Sequence, residues 1–172
     1  MVGRVQRTLA RPLAVVDGGG RLGAAMSIGP AAAGSGITFV RRDRPGRDRI
    51  VAGPATAAIV GGGLALGAAG CRVGGVDPLL AALWSVGIDN ALIEVDGPWL
   101  PGRERGAATL ERLLEIAGST AQGIGLEGFT PAAPLHVREP GGEVRIDAAA
   151  GTEIVVEGAD HGTPVPVALR AP

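Results

Sequence analysis

Val76-Asp77-Pro78-Leu79-Leu80-Ala81-Ala82-Leu83-Trp84-Ser85-Val86-Gly87-Ile88-Asp89-Asn90-Ala91-Leu92-Ile93-Glu94-Val95 reads as a helix, a tight turn and a strand with almost no slack between them. Asp77 is placed to act as N-cap, its carboxylate accepting a hydrogen bond from a first-turn amide. Pro78 then takes the first helical position, where a missing N–H costs nothing and a fixed φ suits the helix. Leu79, Leu80, Leu83 and Trp84 form an apolar stripe at helical spacing. Gly87 supplies the left-handed residue that ends the helix. Ala91 to Val95 is nearly continuous in apolar residues, which predicts a strand covered on both faces.

Working outward, 172 residues are enough for one domain with a real core, or for one domain and part of another. A formal net charge of −1 carries no nucleic-acid footprint. Aromatic residues are only 2% of the chain, so the core must be built from Val, Leu, Ile and Ala. The single cysteine, Cys71, leaves no partner for an internal disulfide and reads as a small buried hydrophobe. Arg4, Arg7 and Arg11 are followed by no long apolar run, so no signal peptide is expected. Glycines break the apolar stretch from Ala55 to Gly70, which makes it a poor transmembrane helix. The expectation is a soluble, cytoplasmic protein with no transmembrane segment.

Upstream of the opening stretch the pattern is β. Val5 to Val16 is extended, with Pro12 interrupting it. Asp17 to Gly20 is a turn and Leu22 to Ile28 a second strand. Ile37 to Val40 is a strong β run. The charged segment Arg41 to Arg49 reads as a solvated hairpin loop, and Arg41, Arg42, Arg44 and Arg47 are its candidate anion-binding residues. Ile59-Val60 and Leu64 to Leu66 form a hairpin around Gly61 to Gly63. Cys71 to Val73 is the last strand before the helix.

Downstream, a Pro-rich loop follows Val95. Ala107 to Ala117 is a second amphipathic helix with Leu110, Leu113, Leu114 and Ala117 on one face. Gly118 closes it. Glycines and prolines cluster from Thr120 to Pro134, which predicts a linker. The tail is purely β: Leu135 to Arg138, Glu143 to Asp147 and Thr152 to Glu157 are strands, and Val165-Pro166-Val167 an edge. This small layer has no covering helix, so one apolar face must find a partner.

Four stretches carry a family resemblance: Gln6 to Leu9, Gly34 to Asp43, Val76 to Leu83 and, most specific, Gly87-Ile88-Asp89-Asn90-Ala91-Leu92-Ile93-Glu94-Val95. In order and spacing they resemble the N-terminal half of the UDP-3-O-acyl-N-acetylglucosamine deacetylases, the zinc enzymes of lipid A biosynthesis. The resemblance implies an α+β fold, a mixed sheet with two helices on one face (ribosomal protein S5 domain 2-like), followed by an incomplete antiparallel β segment. The implied domains are residues 1–120, a linker over 121–134, and a partial second domain over 135–172.

The same resemblance marks where the chemistry departs. The family helix begins Val-Glu-His, a general base followed by a zinc ligand. Asp77 and Pro78 stand at those positions, and proline has no lone pair to give a metal. The family's Gly-Leu-His motif falls in Gly18 to Gly23, which has no histidine. Its Pro-Ile-Met-Asp-Gly-Ser loop falls in Leu100 to Gly106 without a cleanly matching acid. The remaining family ligands and catalytic groups belong to its second domain. His136 and His161 lack metal-ligand spacing and read as a strand residue and a loop residue. No catalytic residue, metal ligand or cofactor is therefore assigned.

Three readings stay open. The first is a non-catalytic member of the family acting as a binding or regulatory module, through a protein partner or by self-association of the incomplete sheet. The second is a fragment or subunit of an active deacetylase completed by another chain. The third is a module that binds a nucleotide-sugar anion through the arginine loop.

Overall fold

The computed structural model describes residues 4–16, 25–46, 48–68, 70–101, 106–126, 132–139, 142–147, 153–160 and 163–170. The chain divides into two compact units, residues 1–126 and 127–172. The expected turn at Asp17 to Gly20, Arg47 and His161 lie outside the described residues.

In the first unit β1 (Val5–Leu9), β2 (Leu13–Val16), β3 (Ala25–Pro30), β4 (Ile37–Arg41) and β5 (Arg49–Val51) precede a three-stranded meander. The meander is β6 (Ala57–Val60), β7 (Gly63–Ala68) and β8 (Cys71–Gly74). Then come α1 (Asp77–Ser85), β9 (Ala91–Val95), α2 (Gly106–Ala117) and β10 (Ser119–Gly125). The main sheet has the order β2-β3-β9-β4-β5. β9 sits at its centre, antiparallel to β3 and parallel to β4.

Register explains the core. Leu13 stands opposite Ile28, Ile28 opposite Ile93, Ile93 opposite Phe39, and Phe39 opposite Ile50. One apolar row thus crosses all five strands. Opposite residues share a face, so α1 and α2 pack on this one face through Leu79, Leu83, Leu110 and Leu114. The α+β class with two helices on one face of a mixed sheet is therefore observed. Burial along β9 alternates: Ala91, Ile93 and Val95 are buried, Leu92 and Glu94 half-buried. The expectation of cover on both faces is corrected, because the helices lie on one side only. Trp84 also departs from the expected stripe; it is 39% exposed while Ala82 takes the inward position.

The turn between α1 and β9 is built as the glycine implied. Gly87 has φ +71°. Its N–H donates to Trp84 O and the Ile88 N–H to Leu83 O, the paired bonds of a Schellman end. Leu83 and Ile88 are both buried, which supplies the hydrophobic contact of that motif. In the meander, Gly61 and Gly62 have φ of +60° and +80°. Two positive values in a two-residue hairpin loop are what glycine makes cheap.

β10 pairs antiparallel with β1, which corrects the first domain's end. Residues 121–125, expected in a linker, are strand, and the first unit runs to residue 126. Glycines there do not break the strand, because β1 supplies its hydrogen bonds. The ribbon is fastened by Asn90, 1% exposed. Its Nδ2 donates to Gln6 Oε1 at 2.9 Å and Gln122 Oε1 at 2.8 Å. Its Oδ1 accepts from the Gly36 N–H at 2.8 Å. Thr8 Oγ1 donates to the Asn90 carbonyl and accepts from the Ala31 N–H.

The second unit has β11 (Leu135–Glu139) paired with β12 (Gly142–Ile146), and β13 (Glu153–Asp160) paired with β14 (Thr163–Arg170). The expected small β layer is thus two separate ribbons among the described residues. Val165, Pro166 and Val167 lie within β14, whose only partner there is β13, so the proline does stand on an edge.

Asn90→Ala would leave three part-buried partners, Gln6, Gln122 and the Gly36 amide, short of a hydrogen bond. A loss of about 3 kcal/mol is expected, read as a lowered urea midpoint with an unchanged slope.

Candidate functional site

The start of α1 is where the resemblance places a base and a metal ligand. Leu64 on β7 grips it through its backbone, with hydrogen bonds to three residues. Its carbonyl accepts from Gly75 N at 3.0 Å and Val76 N at 3.3 Å. Its N–H donates to both Asp77 carboxylate oxygens, at 2.9 and 3.0 Å. Asp77 is therefore not the N-cap. Val76 holds that position, without a side-chain cap bond, and Asp77 is the first helical residue. The reason is local: Leu64 O orients the Gly75 and Val76 amides toward β7, which brings the next side chain over the Leu64 N–H.

A loop seals the other side of this entry. Gly74 N donates to Pro98 O at 2.8 Å, and Leu100 N donates to Gly74 O at 3.1 Å. These bonds lay the Trp99 ring directly over Gly74, where any side-chain carbon would overlap it. No sequence signal marked this contact, since glycine is the only residue type whose role is to carry nothing.

Zinc, implied by the resemblance, does not fit this residue set. Pro78 has no donor atom for a metal. The carboxylate beside it, exposed to solvent, is taken up by the Leu64 amide. Among the described residues no three His, Cys, Asp or Glu side chains converge. His136 lies on β11 in the second unit, with Nε2 3.3 Å from Glu143 Oε2.

The arginine loop is not uniformly solvated, which corrects the sequence expectation. Arg41, the last residue of β4, is buried. It makes a bidentate pair with Asp43, Nε–Oδ1 at 2.7 Å and Nη2–Oδ2 at 2.6 Å, and Nη1 donates to the Arg72 carbonyl at 2.6 Å. Arg42 Nε donates to Asp96 Oδ1 at 2.7 Å. Arg44 lies 3.8 Å from Asp48. Each of these three candidate anion-binding residues thus faces a carboxylate of its own. The hydrogen bond from Arg41 holds the Asp43 carboxyl below the usual range. Burial, with Asp48 adding to it, pushes the Cys71 thiol up, which makes it less reactive.

A groove of about 300 Å³ lies at the far end of α1, against α2. Ser85, Val86, Glu111, Glu115 and Ser119 line it. Its acids, Glu111 and Glu115, stand on α2 away from the buried Leu110 and Leu114.

Because Asp43 titrates lower in the fold, its pairing stabilises the fold above its unfolded pKa of about 4, and that contribution is lost as pH falls through the lower folded value. Stability measured by urea should therefore fall from about pH 4 downward, and fall less steeply in Asp43→Asn.

A sequence profile of the UDP-3-O-acyl N-acetylglycosamine deacetylase family matches residues 6–165. The UDP-3-O-acyl-N-acetylglucosamine deacetylase of Anaeromyxobacter sp. (strain Fw109-5) is 38% identical over 152 residues, covering 85% of this chain and 48% of that protein. The protein of the same name from Phenylobacterium zucineum (strain HLK1) is 34% identical over 156 residues, 88% of this chain and 53% of the relative. That of Myxococcus xanthus (strain DK1622) is 41% identical over 122 residues, 68% of this chain and 38% of the relative. The chain spans about half the length of the curated relatives it matches. A match along most of this chain, together with the mixed sheet and its two helices, makes it a member of the UDP-3-O-acyl-N-acetylglucosamine deacetylase family.

Proposed function

We propose that this chain is a catalytically inactive member of the deacetylase family that serves lipid A synthesis as a binding or regulatory module in the cytoplasm. One observation carries the reading. At the family's general-base and zinc-ligand positions stand Asp77, whose carboxylate is bonded to the Leu64 amide, and Pro78, which has no donor atom. A general base must be within hydrogen-bond reach of the proton it takes, and the Leu64 amide holds the Asp77 carboxylate against β7. A catalytic zinc needs about three protein ligands converging on one point. Helix α1 keeps the residues that build it and lacks those that would act from it.

The module works by binding, and its partner is a protein that meets the apolar side of the second unit. The support is the exposure of Leu135, Val137, Val144 and Ile146. A nucleotide-sugar site on the arginine loop has less support, because Arg41 and Arg42 already hold Asp43 and Asp96.

The test is metal content of the purified chain together with turnover of the acylated UDP-sugar. No stoichiometric zinc and no turnover are expected, including after zinc is added. Bound zinc with turnover, alone or with a second chain supplying the rest of the family's length, would overturn the proposal.

A further inference from the structure

The chain holds two Asp-Gly pairs, Asp17-Gly18 and Asp96-Gly97. Aspartate before glycine is open to attack by its own backbone. The next amide nitrogen reaches the side-chain carboxyl carbon most easily where no Cβ crowds it and the backbone is free to turn. At Gly97 an added side-chain carbon would meet nothing within 4 Å, so the space for the reaction is open. Asp96 is exposed, and the chain bends over residues 96–98, directly after β9 ends. The backbone up to the pair is held on both sides. The Asp96 N–H donates to Ala25 O at 3.2 Å, and the Arg42 N–H donates to Val95 O at 2.9 Å.

One contact opposes the attack. Arg42 Nε donates to Asp96 Oδ1 at 2.7 Å. An ionised carboxylate is a poor acceptor for an amide nitrogen, and the pair fixes its side chain in one position. The two partners are 33% and 41% exposed, so the pair opens readily and slows the attack without stopping it.

We propose that Asp96-Gly97 is a site of isoaspartate formation whose rate is set by Arg42. The carboxylate takes a proton from water, and the Gly97 nitrogen attacks the Asp96 Cγ. A C–N bond forms, and the carboxyl hydroxyl leaves with the amide hydrogen as one water. Water then adds back to either carbonyl of the five-membered imide. Addition at the main-chain carbonyl breaks its bond to the Gly97 nitrogen and leaves the backbone running through Cβ and Cγ. That route adds one carbon to the chain between β9 and the loop that follows. Pro98 and Leu100 in this loop bond Gly74 on either side of Trp99, whose ring leaves no room for a further carbon there. The lengthened backbone displaces the loop from Gly74, so the modification reaches the residues that lead into α1.

Peptide mapping of the full chain, aged at physiological temperature and pH, tests it. The isomer has an unchanged mass, a shifted elution and resistance to an Asp-specific protease. Isomer is expected at Asp96 in the wild type, and its rate should rise about threefold in Arg42→Gln, the scale of an exposed ion pair. Arg42→Lys, which keeps the charge, should restore most of the protection. Asp17-Gly18 provides the internal clock and should age equally in all three proteins. Added salt should speed the reaction at Asp96 in the wild type and not in Arg42→Gln, because salt screens exposed pairs. This arm needs no comparison of folds. In urea the proteins should age alike. The Leu100 amide, which donates to Gly74 O, should exchange faster in the isolated isomer. No isomer at Asp96 in either protein, an equal rate in the wild type and Arg42→Gln, or a difference that persists in urea would overturn the proposal.

Discussion

One row of apolar side chains supports the first unit. Leu13, Ile28, Ile93, Phe39 and Ile50 stand side by side across five strands. Each of the fully buried members contributes about 1.5–3 kcal/mol by leaving water. The row has value only if something covers it, and α1 and α2 provide that cover. The position of α1 is therefore not free. It must end near the start of β9, the strand that holds the centre of the row. Gly87 makes that possible by turning the chain in the left-handed region, where other residues are strained.

This constraint fixes the place of α1 whatever residues stand in its first turn. The resemblance places a base and a metal ligand of the deacetylase family at the start of this helix. Here that start is bound into the scaffold. Leu64 engages Gly75 and Val76 through its carbonyl and Asp77 through its amide. Pro78 adds a fixed φ in the first turn. Packing against β9 preserves the rest of α1 for reasons unrelated to catalysis.

Much of the fold was legible because its signals are local. Gly87, Gly118 and the Gly61-Gly62 turn each mark a φ that other residues avoid. Leu110, Leu113, Leu114 and Ala117 mark the covered face of α2 by spacing alone. What could not be read depends on neighbours distant in sequence. Asp77 has the composition of a cap, yet the Leu64 amide on another strand claims its carboxylate. Thr120 to Gly125 has the composition of a linker, yet β1 supplies a partner. Arg41 has the look of a solvated charge, yet Asp43 and the Arg72 carbonyl hold it buried. The candidate site was found by resemblance, because an aspartate followed by proline has no chemistry to announce. Trp99 over Gly74 was missed, since a glycine's empty side leaves no trace in periodicity.

Whether the first turn of α1 serves structure rather than proton transfer turns on the bond between Leu64 and Asp77. Amide hydrogen exchange at Leu64, compared between the wild-type chain and Asp77→Ala, addresses it most directly. The Leu64 amide is expected to be protected in the wild type and to exchange faster by at least about tenfold, worth roughly 1.4 kcal/mol, once the carboxylate is removed. An amide unprotected in the wild type, or equally protected in both, would contradict it, because the Asp77 carboxylate would then be free of the scaffold.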